Sequence, residues 1–239
     1  MLRAILFDFD GVIVDTEPLH WAAMNQVLTL YTVPEVSKKY YYQNMLGLDD
    51  RGLFRDSFAR ADKPLPPDLL ADLIAEKSGR FLSMASREGI VLPGVADFLA
   101  SVAGRHLLAI CSGALHREIE AILGAAGLLL HFPVIVAADD VQRGKPDPQG
   151  YLLAMHRLQE KHRLVPPLQP GECLVIEDSL PGIEAGKEAG MTCLAVSTSV
   201  QGRLLLRADA VVATLAQVDV RLLEELMRGE GREQGDACT

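Results

Sequence analysis

Five short apolar runs, separated by helix-like segments, constrain the fold of this chain more than any other feature. Ala4 to Phe9, Leu107 to Cys111, Val134 to Ala138, Cys173 to Ile176 and Thr192 to Val196 are short and almost uniformly apolar. Runs of this kind read as strands buried on both faces. The stretches between them have helical spacing. "ALHREIEAILGAAG" sets Ile119, Ile122 and Leu123 on one face and ends at Gly127; "LPGIEAGKEAG" has Pro181 in its first turn and Gly190 after its last. "DPQGYLLAMHRLQEKH" behaves similarly. Strands alternating with helices predict an α/β fold with a doubly wound parallel sheet.

Residues 17–88 break the alternation. They contain no strand-like run, but Leu70, Leu73, Ile74, Phe81 and Met84 share one helical face, and Glu17 to Tyr31 reads as another helix beginning at Pro18. An α-helical domain over 17–88 is therefore expected, inserted after the first strand of a core made of 1–16 and 89–228. The Gly-rich polar tail, 229–239, is expected to be flexible. An insertion at that point can cover the carboxyl ends of the strands, where open α/β sheets bind ligands.

Polar residues collect at those ends. Asp8 and Asp10 close the first run, Ser112 and Gly113 follow the second, Lys145 lies in "RGKPDP" after the third, and Glu177 and Asp178 end the fourth. In a parallel sheet these ends point one way, so residues distant in sequence can share a pocket. Two residues apart in extended chain, Asp8 and Asp10 would lie on one side, about 6 to 7 Å from each other. One carboxylate can then attack a substrate while the other moves protons. Ser112 and the Gly113 amide would hydrogen-bond phosphoryl oxygens near a helix start, and Lys145 would stabilise charge on the transferring group. Asp8, Asp10, Glu177 and Asp178 against one lysine cannot all stay ionised unaided, and an oxygen-only donor set favours Mg²⁺. Taken singly, Ser112 also reads as a helix N-cap, Lys145 as a surface lysine, and Glu177 and Asp178 as caps for the helix near Pro181.

Composition excludes other classes. A net charge of -9 argues against a nucleic-acid surface, so Tyr40, Tyr41 and Tyr42 beside Lys38 and Lys39 are assigned to packing and surface. Cys111, Cys173, Cys193 and Cys238 form no CxxC pair, which suits a cytoplasmic protein. The first apolar stretch is too short for a signal peptide core, and no run of 18 apolar residues suggests a membrane span. "GIEAGK" is one residue short of a phosphate-binding loop and reads as helix, while "GEGREQG" follows no strand. The expected partner is a small-molecule phosphate ester, with neither nucleic acid nor membrane, and the protein is expected as a monomer or weak homodimer.

The motifs "DFDGV", "CSG" after a strand, "RGKPDP" and "IEDSLPGIEAGKEAGM", in this order, resemble those of the haloacid dehalogenase superfamily, in its phosphatase and β-phosphoglucomutase-like branch. The resemblance covers residues 1 to about 213. It implies a nucleophile at Asp8, an acid/base at Asp10, phosphate binding by Ser112 and Lys145, and Mg²⁺ held by Asp8, the Asp10 carbonyl and Asp178. Glu177 would be an outer-sphere or water-mediated partner. The insertion would be a helical cap domain with hinges near Asp15 and Glu88 to Pro93; His20 matches a hinge-proximal histidine, and Arg51 and Lys77 match cap contacts of mutase relatives. "GALH" after Ser112 lacks the small polar and basic residues of such mutases, which favours a Mg²⁺-dependent phosphatase of small phosphorylated metabolites, sugar phosphates or phosphoglycolate-like acids, with an aspartyl-phosphate intermediate over a β-phosphoglucomutase-like phosphomutase. A receiver-type signalling module is disfavoured by length and by the DxD spacing, and dehalogenation by the presence of Asp10.

Overall fold

The structure, a computed structural model, describes residues 1–45, 48, 50–85, 90–200 and 202–229. In chain order its elements are β1 (Ala4–Phe7), α1 (Glu17–Leu30), α2 (Lys38–Tyr40), α3 (Asp50–Arg60), α4 (Pro67–Ala85), α5 (Val95–Val102), β2 (Leu107–Cys111), α6 (His116–Ala125), β3 (Val134–Val136), α7 (Gln149–His162), β4 (Cys173–Glu177), α8 (Leu180–Glu188), β5 (Thr192–Val196), β6 (Ala210–Val212) and α9 (Val220–Arg228). By contact the chain divides into two units, Met1–Asp15 with Ile90–Thr239, and Thr16–Gly89.

In the first unit six strands form one sheet in the order β3-β2-β1-β4-β5-β6, every pairing parallel. The chain moves outward from β1 to β3, returns to the other side of β1 and continues to β6. The order therefore reverses at β1, which leaves a crevice at the carboxyl ends of the central strands. Burial explains why β1 carries no polar residue: Ala4 and Leu6 join the core formed with Tyr151, Ala154 and Leu158 of α7. On the opposite face the Phe7 ring meets Phe98 of α5 and Phe132, with centroids 6.0 and 5.5 Å away. "GIEAGK" lies within α8, which packs on β4 and β5.

Strand ends depart from the apolar runs where the backbone finds other partners. β1 stops at Phe7 rather than Phe9, because Phe9 turns to accept from Ile13 N–H at 2.9 Å and Val14 N–H at 3.2 Å. β3 stops at Val136, where Ala137 N–H donates to Asp140 Oδ2 at 2.9 Å and starts a tight helical turn. β6 has only three half-buried residues, too little pattern to register as a strand beforehand. Cys111, Cys173 and Cys193 are buried and free; Cys238 and the tail from residue 230 lie outside the described residues. Gly229 itself, at φ +76°, closes α9 as its C-cap.

In the second unit every regular element among the described residues is a helix, and α1 packs on α4. Its core includes Met24, Val27, Leu28, Phe54, Phe58 and Leu73. Asn25 ties α1 to the following segment by donating to Val36 O at 3.0 Å and accepting from Val36 N–H at 2.8 Å. Tyr41 is buried and donates to Glu17 Oε2 at 2.8 Å, while the Arg60 guanidinium lies 3.4 Å over the Tyr40 ring. These tyrosines serve packing. Among the described residues, no helix is long and apolar enough to cross a membrane.

Candidate active site

The parallel register dictates which polar residues meet. Phe7 is level with Ile110 of β2 and Ile176 of β4, so Asp8, one residue on, is level with Cys111 and Glu177. Its N–H donates to Ile176 O at 2.9 Å, which continues the ladder and fixes the side chain at the sheet's reversal point. Lys145 arrives from the loop after β3 and donates to Asp8 Oδ1 and, at 2.6 Å, to Glu177 Oε1. Ser112 is buried just past β2, with its N–H on Val136 O at 2.9 Å. With Gly113, Lys145, Asp147 and Tyr151 it lines a cavity of about 390 Å³.

Local capping separates the functional candidates from the helix-cap alternatives. Ser112 Oγ accepts from Ala114 N–H at 3.0 Å, but α6 begins only at His116, with Leu115 at its N-cap. Ser112 is therefore no helix cap. The N-cap of α8 is Ser179, whose Oγ accepts from Gly182 N–H at 3.2 Å, not Glu177 or Asp178.

Glu177 is wholly buried and saturated. Oε1 accepts from Lys145 and, at 2.9 Å, from Tyr151 Oη; Oε2 accepts from Asp178 N–H, Ser179 N–H and Ser179 Oγ at 2.9, 3.0 and 2.9 Å. Despite burial, Lys145 and the Ser179 donors hold its carboxyl below the usual range. Asp8 goes the other way: burial first, then Glu177 and Asp178, push its carboxyl well up against the pull of Lys145. Asp178 is likewise raised to about 7 by burial, and the charges of Glu177 and Asp10 add to this against a hydrogen bond from Ser199. Burial acts to lower the Lys145 pKa, but Asp8 and Glu177 more than offset it and keep the ammonium charged.

Asp10 does not share an extended strand with Asp8. It lies in the turn after β1, bridged to Val14 and half-buried, because the chain reverses at Gly11. Gly11 has φ +76°, and a Cβ there would stand 1.8 Å from Asp178 Oδ2, so both the turn and the approach of Asp178 require glycine. Thr198 Oγ1 donates to Gly11 O and fastens this turn from the far side.

The excess acid defines what else the pocket accepts. Ligand oxygens of Asp8, Glu177 and Asp178 lie within 4.8 Å of one another, and the neighbouring carboxylates add to burial in raising Asp8 and Asp178. A hard divalent cation suits the oxygens of Asp8 and Asp178, while those of Glu177 are taken up by its own five donors.

His20, Arg51 and Lys77 belong to the second unit. Leu73, Lys77, Phe81 and Ala85 form the buried stripe of α4 at i, i+4 spacing, so Lys77 occupies an apolar position and needs partners. It donates to Asp50 and, at 3.0 Å, to His20 Nδ1. The His20 ring stacks on Phe81 at 4.1 Å. Arg51 is exposed on α3 and takes no part in this cluster. Burial, then the Lys77 charge, depress the His20 pKa from 6.5 to about 3. The unfolded chain thus binds this proton first, so His20 contributes stability present above about pH 6.5 and lost as the pH falls toward its folded pKa. Accordingly, from about pH 7.5 to about pH 5 the thermal midpoint of the wild type should drop roughly 4 to 8 °C more than that of His20→Gln. Equal slopes in a melting series would exclude a buried neutral His20.

Three contributors escaped sequence reading. Tyr151 sits on a helix as an ordinary core position, and its hydroxyl partner is visible only once β4 and α7 meet. Ser199 lies in the polar "STS" following β5, a strand-end signal of the same kind as Ser112. Asp50 matters only because Lys77 is buried beside it. Glu88, at the second expected hinge, lies outside the described residues.

A buried acid and lysine at the reversal point of a parallel α/β sheet, with Glu177 and Asp178 alongside, suit an enzyme of the haloacid dehalogenase fold. The family model described as a haloacid dehalogenase-like hydrolase matches residues 2–190. A phosphorylated carbohydrates phosphatase of Thermotoga maritima is 30% identical over 95% of this chain and 100% of its own length. A fructose-1-phosphate phosphatase of Escherichia coli is 34% identical over 80% of this chain and 95% of its own. The crystal structure of CbbY from Rhodobacter sphaeroides in complex with phosphate superimposes with a TM-score of 0.76 at 28% identity, over 91% of this chain and 96% of that one. The chain belongs to the haloacid dehalogenase-like hydrolases, in the branch that holds phosphatases and β-phosphoglucomutases.

Proposed function

We propose that this phosphoric monoester hydrolase is a Mg²⁺-dependent phosphatase of small phosphorylated sugars that works through an aspartyl phosphate on Asp8. The observation that carries the reading is the Asp8 carboxylate, buried at the sheet's reversal point and fixed by Lys145. A carboxylate held still and stripped of water is suited to in-line attack on phosphorus. The relatives named for phosphorylated carbohydrates and fructose 1-phosphate support the substrate class.

In this reading an Asp8 oxygen bonds to phosphorus as the P–O bond to the sugar breaks, and Asp10 gives its proton to the departing oxygen. Asp10 then takes a proton from water, whose oxygen attacks phosphorus and breaks the bond to Asp8, releasing inorganic phosphate. Ser112 and the Gly113 N–H bind phosphoryl oxygens, and Lys145 offsets their charge. Asp8, the Asp10 carbonyl and Asp178 would hold Mg²⁺, which when bound offsets carboxylate charge and polarises a phosphoryl oxygen. Glu177 is excluded from that ligand set because its lone pairs are already spent on five donors. The Thr16–Gly89 unit would act as the substrate-selecting cap, with His20, Arg51 and Lys77 as its candidate groups.

A phosphomutase needs side chains for a second phosphate, and Ala114 and Leu115 after Ser112 supply none. Incubation with β-glucose 1-phosphate and a bisphosphate primer is therefore expected to yield inorganic phosphate. Stoichiometric glucose 6-phosphate would replace the phosphatase reading with the mutase one. A phosphate-release screen over sugar monoesters then identifies the substrate.

A further inference from the structure

Tyr151 has no exposed surface, and core packing alone would be served by phenylalanine. A buried hydroxyl is costly unless bonded, and this one donates to Glu177 Oε1 at 2.9 Å. The same oxygen accepts from Lys145 Nζ at 2.6 Å, and Nζ lies 5.1 Å from the centre of the Tyr151 ring. The lysine thus meets Tyr151 twice, through the carboxylate and across the ring face. On the other side Glu177 Oε2 is pinned by the Asp178 and Ser179 N–H groups and by Ser179 Oγ. Gly182 leaves room for this arrangement, since a Cβ there would stand 1.7 Å from Glu177 Oε1. Lys145 has three N–H donors; two go to Asp8 and Glu177, and the direction of the third follows from where those two are fixed.

We infer that Tyr151 is a positioning residue for phosphoryl transfer: by anchoring Glu177 Oε1 it fixes Lys145 against Asp8. The inference rests on the reading of Lys145 as the group that meets the transferring phosphoryl. Without the hydroxyl, Glu177 Oε1 has Lys145 as its one remaining donor and draws the ammonium away from Asp8. Charge stabilisation in the transition state then suffers more than ground-state binding.

Tyr151→Phe keeps the ring and removes one hydrogen bond. With p-nitrophenyl phosphate, kcat should fall about 10- to 100-fold while KM changes less than about threefold, in protein whose circular dichroism matches the wild type. In a Lys145→Arg background the same substitution should change kcat less than about threefold, because the hydroxyl acts through the lysine. Equal losses in both backgrounds, or a Tyr151→Phe kcat within about twofold of wild type, overturn the inference. If the wild type releases no phosphate from any ester, it is the phosphatase reading that fails. Affinity for vanadate, which takes up the five-coordinate geometry of the transferring phosphoryl, then tests the anchor separately by calorimetry: a loss of about tenfold on Tyr151→Phe that disappears in the Lys145→Arg background upholds it, and unchanged affinity overturns it.

Discussion

Asp8→Asn is expected to lower kcat by about 10⁴-fold or more while leaving the protein folded. The amide has the shape of the carboxylate and its oxygen can still accept from Lys145, so the β1 end and its N–H bond to Ile176 stay in place. What disappears is the nucleophile. The substitution also removes one negative charge from a site that must receive an anion, so substrate affinity should hold or improve while turnover stops. Activity loss from misfolding would instead weaken both, and circular dichroism with thermal melting separates the two cases. A variant that turns over at near wild-type rate would show that Asp8 does not attack phosphorus.

Removal of divalent cations is the second large effect. Chelation should reduce phosphate release by about 10³-fold or more, and added Mg²⁺ should restore it. Asp8, Asp10, Glu177 and Asp178 face a single lysine, and the neighbouring carboxylates add to burial in raising Asp8 and Asp178. A phosphate dianion approaching that surface is repelled. Asp178→Ala removes a proposed ligand and leaves the Asp8 carboxyl in place, so it should shift the Mg²⁺ requirement upward more than it lowers the rate at saturating Mg²⁺. Full activity after exhaustive chelation would refute the metal assignment.

The sheet was legible because its strands are buried on both faces, and a run such as "AILF" carries that burial in its composition. β6, half-buried and three residues long, carries no such mark. Strand-end polarity was enough to gather Asp8, Ser112, Lys145, Glu177 and Asp178, since parallel strands bring equivalent ends together whatever their sequence separation. The placement of Asp10 was not legible: extended-chain spacing fails where Gly11 turns the backbone and Phe9 accepts from Ile13 and Val14. Nor was the state of Lys77. Its burial was latent in the sequence, because it falls on the i, i+4 stripe of Leu73 and Phe81, but its pairing with His20 and Asp50 depends on α1, α3 and α4 meeting. Tyr151 is the extreme case, a core residue by every sequence criterion whose hydroxyl acquires meaning only through β4.

The central claim is that phosphate leaves its ester by way of Asp8. A rapid acid quench during a single turnover, followed by peptide mass mapping, tests it directly. The account predicts one phosphoryl group on Asp8 that rises as ester is consumed and decays as inorganic phosphate appears. Complete phosphate release with Asp8 unmodified at every time point would contradict it.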